Sequence, residues 1–333
     1  MVRGHSIEVE TLHGTIKYNY FIATPAASND TSIDPSLPTI LFLHPNFIPS
    51  AMFHLQYSDP EIRRFNLVAV DLLGHGYTEG PVSSTYDGKE AAEGVAAFMD
   101  TLQLPACIVF GLTMGTTIAI QLAVLRPTRV LGLFLASPLC TKEPELVAAG
   151  RRQISAAWED GMRNGGDVEV LNHAVFGAQQ LAWNNAASSP LVKALTNITV
   201  SRGMITWGAD RLVETRQTTL DIVTERKDLS QEDLSKLVKV PVALLYFQAD
   251  VAYSKEYFDI FFQHIPDAPH FGLATHYHVV NPILSEFVGN TWGARGEIPP
   301  AQSSGVISPF EKCLRDAGWS TDHDVNEEEV EHT

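Results

Sequence analysis

Thr113 carries a hydroxyl that could act as a nucleophile, and it lies between two glycines in the segment Gly111-Leu112-Thr113-Met114-Gly115. An apolar run, 106–110, leads into this segment, and a helix-compatible run, 116–125, leads out of it. A residue on such a sharp strand-to-helix turn exposes its side chain, and the small glycines let the two backbones approach closely. The hydroxyl could then attack an acyl carbon, provided that a base takes its proton. The same five residues are also compatible with an ordinary strand-to-helix turn.

A base and a carboxylate are both available in the last third of the chain. Asp250 follows an apolar run, 240–247, where its carboxylate could orient an imidazole and stabilise the charged form of the ring. Four histidines lie near one another: His264, His270, His276 and His278. Each of these residues also has a structural interpretation, since a strand-end aspartate often begins a turn and a buried histidine can be satisfied within the core.

The elements that must position these residues follow the alternation of a parallel sheet. An amphipathic hairpin is predicted at 6–12 and 15–22, and a final helix at 281–287. Helical spacing recurs between the apolar runs, which lack a polar face and therefore indicate strands buried on both sides. These runs lie at 39–43, 66–70, 106–110, 130–136, 240–247 and 261–265. Strands that alternate with helices predict an α/β fold with a mostly parallel central sheet flanked by helices.

The stretch 139–239 interrupts this alternation. It contains only helical segments rich in Ala, Leu and Glu and is too long for a loop, so we expect a helical cap inserted after the sixth strand. The core then comprises residues 1–138 and 240–292. Residues 293–333 are expected to form a largely flexible, acidic C-terminal extension, in which 310–317 is either a weakly docked helix or disordered.

The composition limits the partners that this chain can bind. Its 333 residues carry a formal charge of −16, which nucleic acids and anionic membranes would repel, so neither is expected as a partner. Three scattered cysteines and the lack of a phosphate-binding loop give no reason to expect a metal or a cofactor. The N-terminus has no apolar signal core, so we expect a cytoplasmic protein. The oligomeric state stays open.

The order of these motifs resembles that of the α/β-hydrolase superfamily from about residue 39 to residue 287. The chain looks most like cap-bearing members from basidiomycete fungi, but Thr113 stands where most members of the superfamily have serine. Five segments carry the resemblance: Leu41-Phe42-Leu43-His44-Pro45, Asp71-Leu72-Leu73-Gly74-His75-Gly76, Gly111-Leu112-Thr113-Met114-Gly115, Gln248-Ala249-Asp250 and Ala268-Pro269-His270-Phe271-Gly272.

The resemblance implies a triad of Thr113 as nucleophile, His270 as general base and Asp250 as the acid that orients it. His270 is preferred over the other histidines because its flanking residues match the family motif. The resemblance also implies an oxyanion hole formed by the backbone amides of Met114 and of Asn46 or Phe47. Only twenty positions separate the acid from the histidine, so we expect the helix between the last two strands to be truncated or missing.

Aromatic residues in and near the cap could line a substrate cavity, although aromatics at helical spacing more often belong to a core. The residues considered for substrate binding are His44, Tyr86, Phe176, Trp183 and Trp207. We regard His44 as more structural than catalytic. Such a cavity would suit a hydrophobic small molecule.

Three functions follow as hypotheses. The first is acyl chemistry on an ester or lactone, by hydrolysis or by lactone-forming cyclisation, and the resemblance suggests fungal secondary metabolism as its setting. In the second, His270 moves protons without a covalent step, as in a lyase, isomerase or cyclase. The third is a catalytically silent ligand-binding protein.

Overall fold

A single mixed sheet runs through the computed structural model, which describes residues 3–140, 142–227, 229–253, 263–302 and 306–320. Within these ranges its strands are β1 (His5–Thr11), β2 (Gly14–Ala23), β3 (Thr39–Leu43), β4 (Asn66–Val70), β5 (Cys107–Leu112), β6 (Val130–Ala136), β7 (Val242–Phe247) and β8 (Gln263–Ile265). The order across the sheet is β1-β2-β4-β3-β5-β6-β7-β8. β2 pairs antiparallel with β1 and β4, and the remaining neighbours are parallel. The predicted α/β fold with a mostly parallel sheet is confirmed.

Helices cover both faces of this sheet. They are α1 (His54–Tyr57), α2 (Gly88–Thr101), α3 (Met114–Leu125), α4 (Glu145–Arg163), α5 (Val168–Trp183), α6 (Pro190–Thr206), α7 (Leu212–Arg216), α8 (Ile222–Thr224), α9 (Gln231–Leu237), α10 (Tyr277–Trp292) and α11 (Glu311–Asp316). Short 3₁₀ turns occur at Ser50–Phe53, Ile62–Arg64, Asn184–Ser188, Gly272–Ala274 and Gly293–Arg295, and a π turn at Gln217–Asp221.

The central strands are almost entirely apolar because each face of the sheet packs into a separate hydrophobic core. On one face, Phe110 stacks between Phe42 and Phe134 with ring-centroid distances of 5.2 and 5.0 Å. Leu41 and Leu43, which alternate with Phe42 along β3, pack into the core on the other face. Every residue of β3 is buried, as expected for a parallel strand covered on both sides.

Helices α4 to α9 fill the interval between β6 and β7 in the described residues, where we predicted the cap. Polar contacts fix this layer to the core. The Arg202 Nε–H donates to the Gly76 carbonyl at 2.6 Å, and the Trp207 indole N–H donates to the Gly74 carbonyl at 2.7 Å. Helix α6 and the residue after it therefore contact the turn that follows β4.

The C-terminal extension differs from our expectation in the part that the structure describes. We expected it to be largely flexible, but Phe310 is only 1% exposed and packs against Phe21 and Tyr57 at ring distances of 4.5 and 5.2 Å. The Asn197 side chain of α6 also donates to the Ala317 carbonyl at 3.0 Å. The buried apolar face of α11 explains the difference. The acidic segment 321–333 lies outside the described residues.

Candidate active site

Thr113 lies on a tight turn between β5 and α3, with φ +48° and ψ −110°. A β-branched residue rarely adopts a positive φ, and such backbone costs about 1–3 kcal/mol. Both glycines are required: a Cβ on Gly115 would lie 2.1 Å from the Leu43 carbonyl oxygen, and one on Gly111 would lie 2.6 Å from the Gly115 oxygen. The backbone here therefore has the form of a nucleophile elbow.

His270 and Asp250 form a buried pair. His270 Nδ1 lies 2.6 Å from Asp250 Oδ2, and the two side chains are 1% and 2% exposed. The other carboxylate oxygen of Asp250 accepts the backbone N–H groups of Ala252 and Tyr253 at 2.8 and 3.0 Å. The carboxylate is thus held from both sides, and the N–H of the imidazole is directed to Nδ1.

The short connection between β7 and β8 does not prevent this pairing. Leu245 is opposite Gln263 in a parallel register, so Asp250 and His270 both follow the carboxyl ends of neighbouring strands. Most of that connection, 254–262, lies outside the described residues, and so do residues 261 and 262 of the predicted last strand.

The second ring nitrogen of His270 is the atom that would take a proton from the nucleophile. Nε2 is buried and has no hydrogen-bond partner among the described residues, so the Thr113 hydroxyl is not bonded to it here. In unliganded enzymes, catalytic hydrogen bonds are often long and tighten only when substrate binds. At the carboxyl edge of the sheet, Nε2 therefore faces no hydrogen-bond partner from the described part of the chain.

The predicted oxyanion donors are not equivalent. The Phe47 N–H donates to the side-chain oxygen of Asn46 at 3.0 Å and is therefore already engaged. The Met114 N–H is the first in α3, where no helical carbonyl can accept it. The amides of Met114 and Asn46 remain as candidate donors.

His44 has a structural role beside this site. Its Nε2 accepts the Leu72 N–H at 2.8 Å, and its Nδ1–H donates to the Pro45 carbonyl at 2.7 Å. Burial lowers the pKa of His44 to about 4, and burial followed by the proximity of His44 lowers the pKa of His75 to about 3. Both rings are therefore neutral at pH 7. They hold together the loops that follow β3 and β4, since His44 binds the Leu72 amide and His75 binds the Asn46 side chain.

An apolar cavity lies between the cap and the core. Trp183 and Trp207, two of the residues considered for substrate binding, line it together with Trp158 of α4 and Ile154 one turn before it. Phe47 and Phe271, which adjoin the candidate oxyanion donors and His270, are part of its wall, whereas Thr113 and His270 are not. The sequence signal for Phe271 was its place in the motif beside His270.

Three residues considered for substrate binding do not line this cavity. Phe176 projects from α5 and is 62% exposed, because it lies on the solvent side of an amphipathic helix. Tyr86 is buried in the core of the opposite sheet face, together with residues of α2. His44 is fully engaged in the loop contacts described above. Aromatic character alone could not distinguish these positions from Trp183 and Trp207.

A family model described as alpha/beta hydrolase fold matches residues 38–216, more than half of the chain. The chain belongs to this family. Among curated relatives, it is 38% identical over 103 residues to the dihydrolipoyllysine-residue acetyltransferase component of the acetoin cleaving system of Cupriavidus necator. It is 33% identical over 118 residues to the AB hydrolase superfamily protein YisY of Bacillus subtilis. These matches cover 30% and 34% of this chain, but only 26% and 44% of the relatives' own lengths.

Solved structures in the family share the fold over most of the chain. An esterase from Thermogutta terrifontis has a TM-score of 0.66 at 17% identity, covering 86% of this chain and 99% of its own. An enol-lactonase from Burkholderia xenovorans has a TM-score of 0.61 at 16% identity, covering 82% and 96%. At such identities the likeness establishes the fold alone.

Two negative findings apply to the described ranges. No cluster of three or more His, Cys, Asp or Glu side chains there could hold a metal ion. No helix there combines the length and apolarity needed to cross a membrane.

Proposed function

We propose that this protein catalyses acyl transfer on an ester or lactone of a hydrophobic small molecule, with Thr113 as the nucleophile. The observation that carries the proposal is the buried Asp250–His270 pair, in which Nδ1 is bonded at 2.6 Å and Nε2 has no partner among the described residues. An imidazole oriented in this way presents a basic lone pair, and the carboxylate stabilises the imidazolium that forms.

The reaction would begin when His270 Nε2 takes the proton of the Thr113 hydroxyl as its oxygen attacks the acyl carbon. The amides of Met114 and Asn46 would donate to the developing oxyanion. The tetrahedral intermediate then expels the alkoxide, which receives the proton from His270, and an acyl-threonine remains. Water, or a hydroxyl of the acyl group itself, would release the product by the reverse sequence.

The cavity and the structural neighbours support the proposed substrate class. The cavity wall is mainly aromatic and aliphatic, which suits a hydrophobic acyl or alcohol portion. Structural neighbours include Est816, an N-acyl homoserine lactone degrading enzyme, and the enol-lactonase. Because threonine is more crowded than serine, slow release by water would favour an internal alcohol. Lactone formation therefore belongs to the same proposal as hydrolysis, and secondary metabolism remains its proposed setting.

A second candidate follows from the unpaired Nε2. Since the Thr113 hydroxyl does not donate to His270, the imidazole could instead move a substrate proton directly while Thr113 binds the substrate. That arrangement would give a lyase, isomerase or cyclase without an acyl-enzyme.

Intact-protein mass spectrometry separates these functions. Wild type, Thr113→Ser, Thr113→Ala and His270→Ala are incubated with p-nitrophenyl butyrate, p-nitrophenyl octanoate, a γ-lactone and a fluorophosphonate, with Thr117→Ala as the control for a neighbouring threonine on α3. We expect an adduct on wild type and the control, faster labelling of Thr113→Ser, and no adduct on Thr113→Ala. Turnover that survives Thr113→Ala but not His270→Ala would favour the second candidate. Inert variants with retained ligand binding would indicate a binding protein.

A further inference from the structure

A buried network of charged and phenolic side chains adjoins His270 on the cap side. Glu143 Oε1 accepts the Tyr253 hydroxyl at 2.7 Å and the Arg151 Nε–H at 2.8 Å. Arg151 also donates to the Tyr253 oxygen at 3.0 Å, and Arg226 donates to Glu143 Oε2 at 2.7 Å. The phenol is therefore held by two partners, one of which comes from the cap helix α4.

Tyr253 is in contact with both members of the acid–histidine pair. Its ring stacks on the His270 imidazole, with a centroid distance of 5.0 Å and an interplanar angle of 30°. Its backbone N–H donates to Asp250 Oδ1 at 3.0 Å, opposite the oxygen that binds the imidazole. A change in the position of Tyr253 would therefore move both the carboxylate and the ring that the carboxylate orients.

The network is electrostatically stable at neutral pH. Burial alone would raise the pKa of Glu143, but Arg151 and Arg226 hold it below its ordinary value. Burial also raises the pKa of Tyr253 well above that of a free phenol, so its hydroxyl stays protonated and keeps donating. The carboxylate and the phenol thus keep their hydrogen-bonding roles across the physiological range.

The proposed reaction leaves this network without a role, although burying three charged side chains costs free energy that pairing them only partly offsets. We propose that Tyr253 is a positioning residue that holds the His270 imidazole against Asp250, and that Glu143 and Arg151 anchor it from the cap. This inference rests on the proposed function for its effect on turnover. Its structural content, the dependence of the Asp250–His270 pair on Tyr253 and Arg151, can be tested separately.

The test compares Tyr253→Phe, which keeps the ring but loses both hydroxyl contacts, with Tyr253→Leu, which also loses the stacking. Arg151→Met removes the anchor on α4 without touching His270. Tyr18→Phe is the matched control, because Tyr18 is another fully buried tyrosine and lies in the core on the opposite sheet face. Circular dichroism establishes that each variant is folded.

Two readouts are recorded for each variant. The first is kcat and KM for p-nitrophenyl butyrate. The second is the downfield proton resonance of the His270 Nδ1–H, assigned by its absence in His270→Gln. We expect kcat to fall about tenfold in Tyr253→Phe and Arg151→Met and further in Tyr253→Leu, with KM little changed, since small misplacement of a catalytic group is costly. The resonance should broaden by exchange in the same order, and Tyr18→Phe should match wild type.

The proposal is overturned if Tyr253→Phe and Arg151→Met retain both kcat and the resonance of wild type, or if Tyr18→Phe changes them equally. If Tyr253→Leu does not fold, the other two variants decide. If Thr113→Ala and His270→Ala turn over ester like wild type, the acyl-transfer mechanism fails. In that case the resonance alone still decides whether Tyr253 positions the pair.

Discussion

Gly115→Ala tests the requirement for a close backbone approach at the turn that carries Thr113. The added Cβ would lie 2.1 Å from the Leu43 carbonyl oxygen, 2.7 Å from its carbonyl carbon and 3.0 Å from the His44 oxygen. All three are backbone atoms, so no side chain can rotate away. Real Cβ contacts are almost never shorter than 3.0 Å, so α3 or β3 must move by at least 0.9 Å at this point.

The cost follows from the rigidity of the surroundings. Overpacking a core typically costs about 1–3 kcal/mol, and a clash between buried backbones belongs at the upper end of that range. For a chain of 333 residues, about 3 kcal/mol corresponds to a fall in melting temperature of roughly 4 °C. Movement of the start of α3 also displaces the Met114 amide. Because a misplacement of about 1 Å can slow a reaction about a hundredfold, fluorophosphonate labelling of Thr113 should slow more than tenfold.

Differential scanning calorimetry and labelling kinetics measure these two effects, with Gly150→Ala as the control. A Cβ on Gly150 meets nothing within 4 Å, and this glycine lies inside α4. Replacing it should therefore raise stability by about 0.5–1 kcal/mol. If Gly115→Ala melts within about 2 °C of wild type and labels at the same rate, the close approach of α3 to β3 is not as described here.

The remaining predictions concern stability and binding. Phe310→Ala should cost about 3–5 kcal/mol in urea denaturation, whereas Ile307→Ala, 58% exposed in the same segment, should cost less than about 0.5 kcal/mol; equal losses would contradict the docking of the C-terminal segment. The pKa of His44 is about 4 in the folded protein, below the roughly 6.5 of an unfolded histidine. Its contribution to the free energy of unfolding is therefore present above pH 6.5 and is lost as the pH falls towards 4. His44→Gln should flatten the fall in unfolding free energy between pH 7.5 and 5, and an unchanged slope would refute this. Trp207→Phe should lower the free energy of unfolding by about 1–3 kcal/mol, because the buried Gly74 carbonyl loses the indole N–H that donates to it. It should also raise KM for p-nitrophenyl octanoate, and unchanged values of both quantities would exclude the role of Trp207 in the cavity wall.

Much of the fold could be predicted because its strands and helices differ in hydrophobic period. The runs 39–43, 66–70 and 130–136 match β3, β4 and β6 residue for residue. The final helix was predicted too short, at 281–287, whereas α10 runs from Tyr277 to Trp292 with Pro282 inside it. Pro282 is the sixth residue of α10, where it removes one helical hydrogen bond and crowds the preceding turn, so packing of the apolar face outweighs its local cost.

Contacts between side chains that are distant in the sequence were harder to predict. A pattern in the sequence indicates that Trp183 or Phe176 belongs to an amphipathic helix, but not which neighbour covers it, so one lines the cavity and the other is exposed. The same limit applies to the C-terminal segment, because a short helix such as α11 is stable only through the core that Phe310 enters.

Three features can be recognised in the amino-acid order alone: the alternation of strands and helices, the glycines around Thr113, and the order of the candidate nucleophile, acid and histidine. These are local properties, fixed by side-chain size and by the period of apolar residues. The folded chain is needed to see that Asp250 and His270 meet at 2.6 Å across so short a connection. The same is true of Tyr253, which stacks on His270, and of Arg151, which donates to Tyr253. Those contacts depend on strand register and on how the cap packs, and both are set by interactions between residues that are far apart in the chain.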